Sequence, residues 1–228
     1  RALEQQLGVA LFLRTRRRGG VSPEGAGLLG IEGPSESHKP DIHDRVAVAY
    51  YGRMGAAFMR ETQERIHWVC RNVTGHAVLD VGCSQGITAV LLAREGKHVL
   101  GLDVDETSVK EAKALLLQEP ERVRELVRFQ LGDFHSHSQA TQTRYDTVVM
   151  AEVLEHLIDP AAFIDAAARC INPGGHLVVT LPFGVNDFID HKRTYYLFEP
   201  YRLIAGRFEV TEVALLGRWI GLVGRLRA

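Results

Sequence analysis

Three aspartates stand where predicted strands give way to turns: Asp80 in VLDVGCSQG, Asp103 in GLDVD and Asp133 in FQLGDF. The first precedes a loop in which Gly82 and Gly86 bracket Cys83, Ser84 and Gln85. That loop fits neither the GxGxxG spacing of a dinucleotide site nor a GxxxxGK phosphate loop. Helix-end N–H groups and the helix dipole would welcome a phosphate at such a turn. A carboxylate at position 80 adds negative charge there, which disfavours pyrophosphate and favours a ligand carrying a cation. Asp103 ends the second strand, where a carboxylate can accept both hydroxyls of a ribose. Asp133 follows the third, where an acid can take an adenine amino group while Phe134 lies against the ring. Taken singly, each is equally a turn glycine or a helix-capping aspartate. Converging on one crevice, they imply an adenosine that bears a positive group and no phosphate.

The elements that must position these acids follow from hydrophobic pattern. Apolar, β-branched runs at 77–81, 98–103, 127–132, 145–151 and 175–181 alternate with helical patterns at 87–94, 107–118 and 161–171, the last entered through Asp159-Pro160. Strands apolar on both faces and interleaved with helices predict a parallel, doubly wound α/β sheet. Strands at 208–215 and 219–223 flank Leu216-Gly217-Arg218 as a closing antiparallel hairpin. Residues 44–71 are helical in pattern and would cover the sheet or the pocket mouth. Residues 1–40 read as an appendage and a linker rich in Gly, Pro and Ser, leaving 41–228 as the main domain.

Composition narrows the function classes. The 228 residues carry a formal net charge of −1, so no global charge points to nucleic acid or a membrane surface. Cys70, Cys83 and Cys170 are odd in number and lack CxxC spacing, so neither a disulfide framework nor a zinc site is expected. No apolar run approaches a spanning helix, and GVALFL is followed by arginines, the reverse of a signal peptide. A cytoplasmic protein is expected.

Residues from about 45 to 225 resemble the class I S-adenosylmethionine-dependent methyltransferases, through VLDVGCSQG, GLDVD, GDF, YDTVVMAEVLEHL and INPGGHLVVTLP in order. The resemblance implies a mostly parallel, seven-stranded Rossmann-like sheet and S-adenosyl-L-methionine as cofactor. Asp80 and Gly82 would then line its methionine part, Asp103 its ribose, and Asp133 with Phe134 its adenine. Cys83, Ser84, Gly86 and Val104 would complete the cofactor-binding set, and Ala151 with Glu152 would wall the pocket beside the methyl. The loop GCSQG is poorer in glycine than the family's usual one.

Methyl transfer needs an in-line nucleophile and exclusion of water more than covalent catalysis. On a helical turn Glu152, Glu155 and His156 would share one face, which makes His156 the candidate base for a hydroxyl acceptor. The acceptor implied is a small molecule or glycan, methylated at oxygen, with His191, Arg193 and Tyr195 of DHKRTYY as candidate substrate-binding residues. An alternative set, Glu152, Glu155, His156 and His191, resembles the metal ligands of small-RNA 2′-O-methyltransferases; EVLEHL segments also occur in quinone-biosynthesis O-methyltransferases. His135 and His137 are expected in an exposed polar loop. The first 29 residues resemble the end of a LysR-type regulator's DNA-binding domain, with Arg14, Arg16, Arg17 and Arg18 on its wing. A DNA-associated regulator with a ligand-sensing domain is therefore the rival reading, although nucleic acid is not an expected partner of the main domain.

Overall fold

A computed structural model describes residues 45–185, 188 and 190–227, and the main chain of 12–15 and 18–21. The chain divides into Arg1–His43 and Asp44–Ala228. In the first unit Phe12–Thr15 and Arg18–Val21 form an antiparallel ribbon in which Phe12 pairs with Val21. Arg16, Arg17 and the predicted linker lie outside the described residues.

The second unit is built on seven strands: β1 (Ala77–Val81), β2 (His98–Asp103), β3 (Val127–Leu131), β4 (Tyr145–Ala151), β5 (Ile171–Pro182), β6 (Phe208–Leu216) and β7 (Trp219–Leu226). Their order is β3-β2-β1-β4-β5-β7-β6, with β1 to β5 parallel and β7 antiparallel to both neighbours. The helices are α1 (Val46–Tyr50), α2 (Ala56–Asn72), α3 (Ile87–Arg94), α4 (Glu106–Leu116), α5 (Glu121–Arg124), α6 (Phe134–Ala140), α7 (Pro160–Cys170) and α8 (Phe198–Ala205). Strand alternation splits the interior into two layers. Val78, Val149 and Val178 join one core with Ile66, Val69 and α3, while Leu79, Val148, Leu177 and Leu222 join the other with Ile164 and Ile204. The strand order reverses between β1 and β4, so the crevice at their carboxyl ends is where such a sheet receives ligands.

Most predicted elements stand within a residue or two. The fifth strand is longer than expected. It starts at Ile171 and passes a register shift before His176, where Asn172, Pro173, Gly174 and Gly175 interrupt the β-branched pattern that marks a strand. The closing hairpin turns on Gly217 and Arg218 alone, with Leu216 paired to Trp219 and Gly217 at φ 63°. Two expectations fail. His135 and His137 lie on α6 rather than in a loop; Asp133 caps that helix, and Ser and Gln in its body hid it from a search for apolar period. The segment from Glu152 to His156 is not one helical turn: Glu152 sits at φ 61°, and only Leu154–His156 makes a single 3₁₀ turn. Glu152 therefore does not share a face with Glu155 and His156.

Candidate active site

The loop after β1 is fixed by backbone donors. The N–H groups of Gly82 and Cys83 donate to the Leu102 carbonyl at 2.8 and 3.2 Å, tying the loop to β2. Ser84, in a left-handed conformation at φ 46°, donates its N–H to Asp103 Oδ2 at 2.8 Å, and Asp105 N–H donates to Asp103 Oδ1 at 2.9 Å. Gly86 has φ 77°, and a Cβ there would stand 2.4 Å from Phe129 Cζ, so glycine is required both by conformation and by the ring beneath. Gln85 reaches outward: its Oε1 accepts the Ala47 N–H at 2.9 Å and its Nε2 donates to Glu111 Oε2 at 2.6 Å. The loop thus joins α1 to α4.

Asp80 lies beneath this loop. It is 1% exposed, and its Oδ2 has no hydrogen-bond partner among the described residues. Burial, with Asp103 adding repulsion, pushes its carboxyl up to about 7. Burial also pushes the Cys83 thiol up, so that side chain acts as an apolar filler under the loop. Asp133 accepts the Ser136 N–H at 2.8 Å, which holds its carboxyl below the usual value. The Phe134 ring is buried 5.5 Å from that of Phe163, so it belongs to the core, whereas Val104 projects into solvent at 72% exposure.

At the other end of the crevice the groups are gathered from distant parts of the chain. Glu152 Oε2 accepts the indole N–H of Trp219 at 2.6 Å, Oε1 accepts the Thr180 hydroxyl at 3.3 Å, and Arg65 Nη1 lies 3.4 Å from Oε1. The Arg65 guanidinium also lies 5.2 Å from the centre of the Trp219 ring. Arg65 is 6% exposed and its Nε has no hydrogen-bond partner among the described residues. Buried Glu155 stands beside His156 and His191, with one ligand atom from each of the three within 4.8 Å of the others. The two imidazoles meet edge to face at 4.9 Å. Burial, and then the neighbouring His156, hold His191 below the usual histidine value.

The expected residues therefore separate into groups. Asp80, Gly82, Cys83, Ser84, Gly86 and Asp103 come together around one loop, and Asp133 follows the neighbouring strand. The four-residue metal set does not assemble. Glu152 is bound by Arg65, Trp219 and Thr180, leaving Glu155, His156 and His191 as the cluster. Arg193 and Tyr195, expected to face the acceptor, brace the 3₁₀ segment. Arg193 donates to the carbonyls of Leu157 and Ile158 at 3.3 and 2.6 Å, and the Tyr195 hydroxyl donates to the Leu154 carbonyl at 3.2 Å. His137 lies 3.3 Å from the Tyr145 hydroxyl and His135 beside Gln139, so the His-x-His pair is engaged locally. Arg65 was missed by motif reading, yet it left a signal: with Thr62, Ile66 and Val69 it falls on the buried stripe of α2, where an arginine needs a partner.

Residues 53–213 match the model of the methyltransferase domain family. Over 116 residues the chain is 37% identical to a ubiquinone biosynthesis O-methyltransferase of Serratia proteamaculans, covering 50% of this chain and 46% of that one. Over 103 residues it is 39% identical to the protein of the same name from Vibrio cholerae, covering 45% and 40%. The chain thus spans less than half the length of these relatives. Among solved structures, the N-methyltransferase NodS of Bradyrhizobium japonicum superposes with a TM-score of 0.63 at 19% identity, covering 74% of this chain and 98% of that one. The [4+2]-cyclase SpnF superposes at 0.64 and 16% identity, covering 76% and 84%. These likenesses concern the fold.

Proposed function

We propose that this chain, which belongs to the methyltransferase domain family, transfers a methyl group from S-adenosylmethionine to a hydroxyl of a small-molecule or glycan acceptor. The observation that carries the reading is Asp80: a carboxylate 1% exposed, with an oxygen lacking any partner, beneath a left-handed loop at the carboxyl ends of β1 and β2. A buried acid of this kind calls for a cation from a ligand. The cofactor supplies a methyl group on a positively charged sulfur, activated without help from the protein. Asp103, already oriented by the N–H groups of Ser84 and Asp105, would accept the ribose hydroxyls. Asp133 and the start of α6 would meet the adenine.

The acceptor end follows from the cluster after β4. Burial holds His191 below the usual histidine value, which favours the neutral imidazole that can accept the proton of an attacking hydroxyl, with His156 4.9 Å away. Arg193 and Tyr195 support this role indirectly by fixing Leu154, Leu157 and Ile158. A metal-assisted variant is favoured by one specific observation, the 4.8 Å grouping of Glu155, His156 and His191. A divalent cation held there would lower the pKa of the acceptor hydroxyl. The ribbon of Phe12–Thr15 and Arg18–Val21 supports the DNA-associated rival, which a mobility shift of the whole chain on duplex DNA would test.

No described helix is long and apolar enough to cross a membrane. We read the protein as cytoplasmic from its three unpaired, buried cysteines. The main experiment incubates the protein with methyl-labelled S-adenosylmethionine and fractionated cell metabolites, with and without chelator. Label in a product heavier by one methylene supports the reading, and loss of label on chelation selects the metal-assisted route. Absence of any labelled product, with no cofactor binding by calorimetry, removes the reading.

A further inference from the structure

We propose that cofactor capture by this chain is coupled to the release of one proton from Asp80, which in the free protein holds that proton because one oxygen of its buried carboxyl, Oδ2, has no partner among the described residues. The inference rests on the cofactor reading above and names the group that meets the ammonium of the cofactor's amino-acid tail.

The geometry isolates Asp80 from compensating charge. On β2 the nearest acid is Asp103, whose two oxygens are already taken by the N–H groups of Ser84 and Asp105. In the loop, Cys83 is buried and its thiol pushed up. On α2, Cys70 is buried with its thiol pushed up to about 12. On β4 the register partner of Asp80 is Val149, and α3 begins with Ile87 and Thr88. None of these groups offers a positive charge, and Asp103 and the burial together favour the protonated carboxyl, up to about pH 7. A ligand ammonium entering the crevice reverses the balance. It supplies the missing partner for Oδ2, the carboxyl ionises, and the proton leaves to solvent. No redox step or co-reactant is involved.

Calorimetry on the whole chain tests this without reference to turnover. S-adenosylhomocysteine is the probe, since it keeps the ammonium and the carboxylate but has a neutral sulfur; 5′-deoxy-5′-methylthioadenosine, which lacks the tail, is the control. The expected result is release of about one proton per S-adenosylhomocysteine bound at pH 6, read from two buffers of different ionisation enthalpy. Its affinity should rise about eightfold between pH 6 and 7.5, the span over which a carboxyl near 7 in the free protein empties. The tail-less control should release none. Asp80→Asn should bind S-adenosylhomocysteine without the pH slope. Binding of S-adenosylhomocysteine with no proton release, or a slope that survives in Asp80→Asn, overturns the coupling while leaving the cofactor reading intact. Failure of both nucleosides to bind overturns the cofactor reading itself. Should Asp80→Asn not fold, the buffer comparison on the unaltered protein decides alone.

Discussion

Asp146 stands at the start of β4 and Asp80 near the end of β1, so one acid lies at the amino edge of the sheet and the other at its carboxyl edge. At the amino edge Asp146 is saturated. Its Oδ2 accepts the N–H groups of Ala77 and His76 at 3.0 and 2.8 Å, its Oδ1 accepts Asn172 Nδ2 at 2.9 Å, and these bonds hold its carboxyl below the usual value. At the carboxyl edge Asp80 is more deeply buried, has an oxygen with no partner and is pushed up to about 7. One side chain type is thus fully satisfied at one end and left with an unmatched oxygen at the other. The contrast sets an edge optimised for stability against the edge where the proposed cofactor site lies.

Breaking the clamp has the largest expected effect. Asp146→Ala strands three donors at the edge of β1 and β5, and should cost about 2–4 kcal/mol in urea unfolding. Cofactor affinity of the folded fraction should stay unchanged, since the residue lies at the far end of the strands. The pH dependence has a definite sign. A carboxyl lowered in the folded state contributes stability that is present above its unfolded value and is lost as pH falls through the folded one, so the clamp weakens below about pH 4. Equal acid sensitivity of the variant and the unaltered protein would count against this role.

Asp103→Ala comes next and acts on binding. Loss of the ribose acceptor should weaken cofactor affinity by about 1–3 kcal/mol, seen by calorimetry. Part of that loss comes from the loop, because Ser84 N–H loses its partner. Asp103→Asn keeps one acceptor and should recover part of the affinity. An unaltered dissociation constant in Asp103→Ala would detach this strand end from the cofactor.

Asp80→Asn should show the opposite sign to Asp146. A carboxyl raised in the folded state contributes stability present below its unfolded value and lost as pH rises through the folded one. For Asp80 that window runs from about pH 4 to about pH 7. The free variant should therefore gain on the unaltered protein as pH rises through this window, by about 2–3 kcal/mol between pH 5 and pH 8. Thermal unfolding at pH 5 and pH 8 measures it, and a constant difference between the two pH values would mean that Asp80 carries no proton in the free protein.

The two ends of the crevice also differ in how far the sequence discloses them. The end around Asp80, the proposed cofactor end, is made of short-range features: an apolar strand, a glycine turn, an acid at the next strand end. The placement of Asp80, Gly82, Gly86 and Asp103 around one loop could be read because each lies within a few residues of its own strand. The end around Glu152, the proposed acceptor end, is assembled across the chain. Glu152 is held by Arg65 from α2 and Trp219 from the last hairpin, contacts that no local period encodes. The helical turn expected at 152–156 failed for the same reason. Those tertiary donors hold Glu152 in a left-handed conformation that local preference disfavours. The sequence offers Arg193 and Tyr195 as acceptor-binding residues, whereas in the fold Tyr195 holds the Leu154 carbonyl in the 3₁₀ turn and Arg193 the Ile158 carbonyl just after it.

The smallest effect separates two kinds of backbone strain. Among the described residues, Ser84 and Glu152 are the non-glycine ones with positive φ, 46° and 61°. At Ser84 the conformation serves the main chain, because it aims the N–H at Asp103. Ser84→Gly keeps that donor and relieves a left-handed side chain, partly offset by the greater freedom of glycine in the unfolded state, so stability should change by no more than about 0.5 kcal/mol. At Glu152 the conformation serves the carboxylate. Glu152→Gly relieves the same kind of strain but leaves the buried Arg65 guanidinium and the Trp219 N–H without their acceptor, so it should destabilise the fold. A stabilising Glu152→Gly, measured beside Ser84→Gly in the same denaturant series, would show that the Arg65–Glu152–Trp219 knot does not organise this end of the crevice.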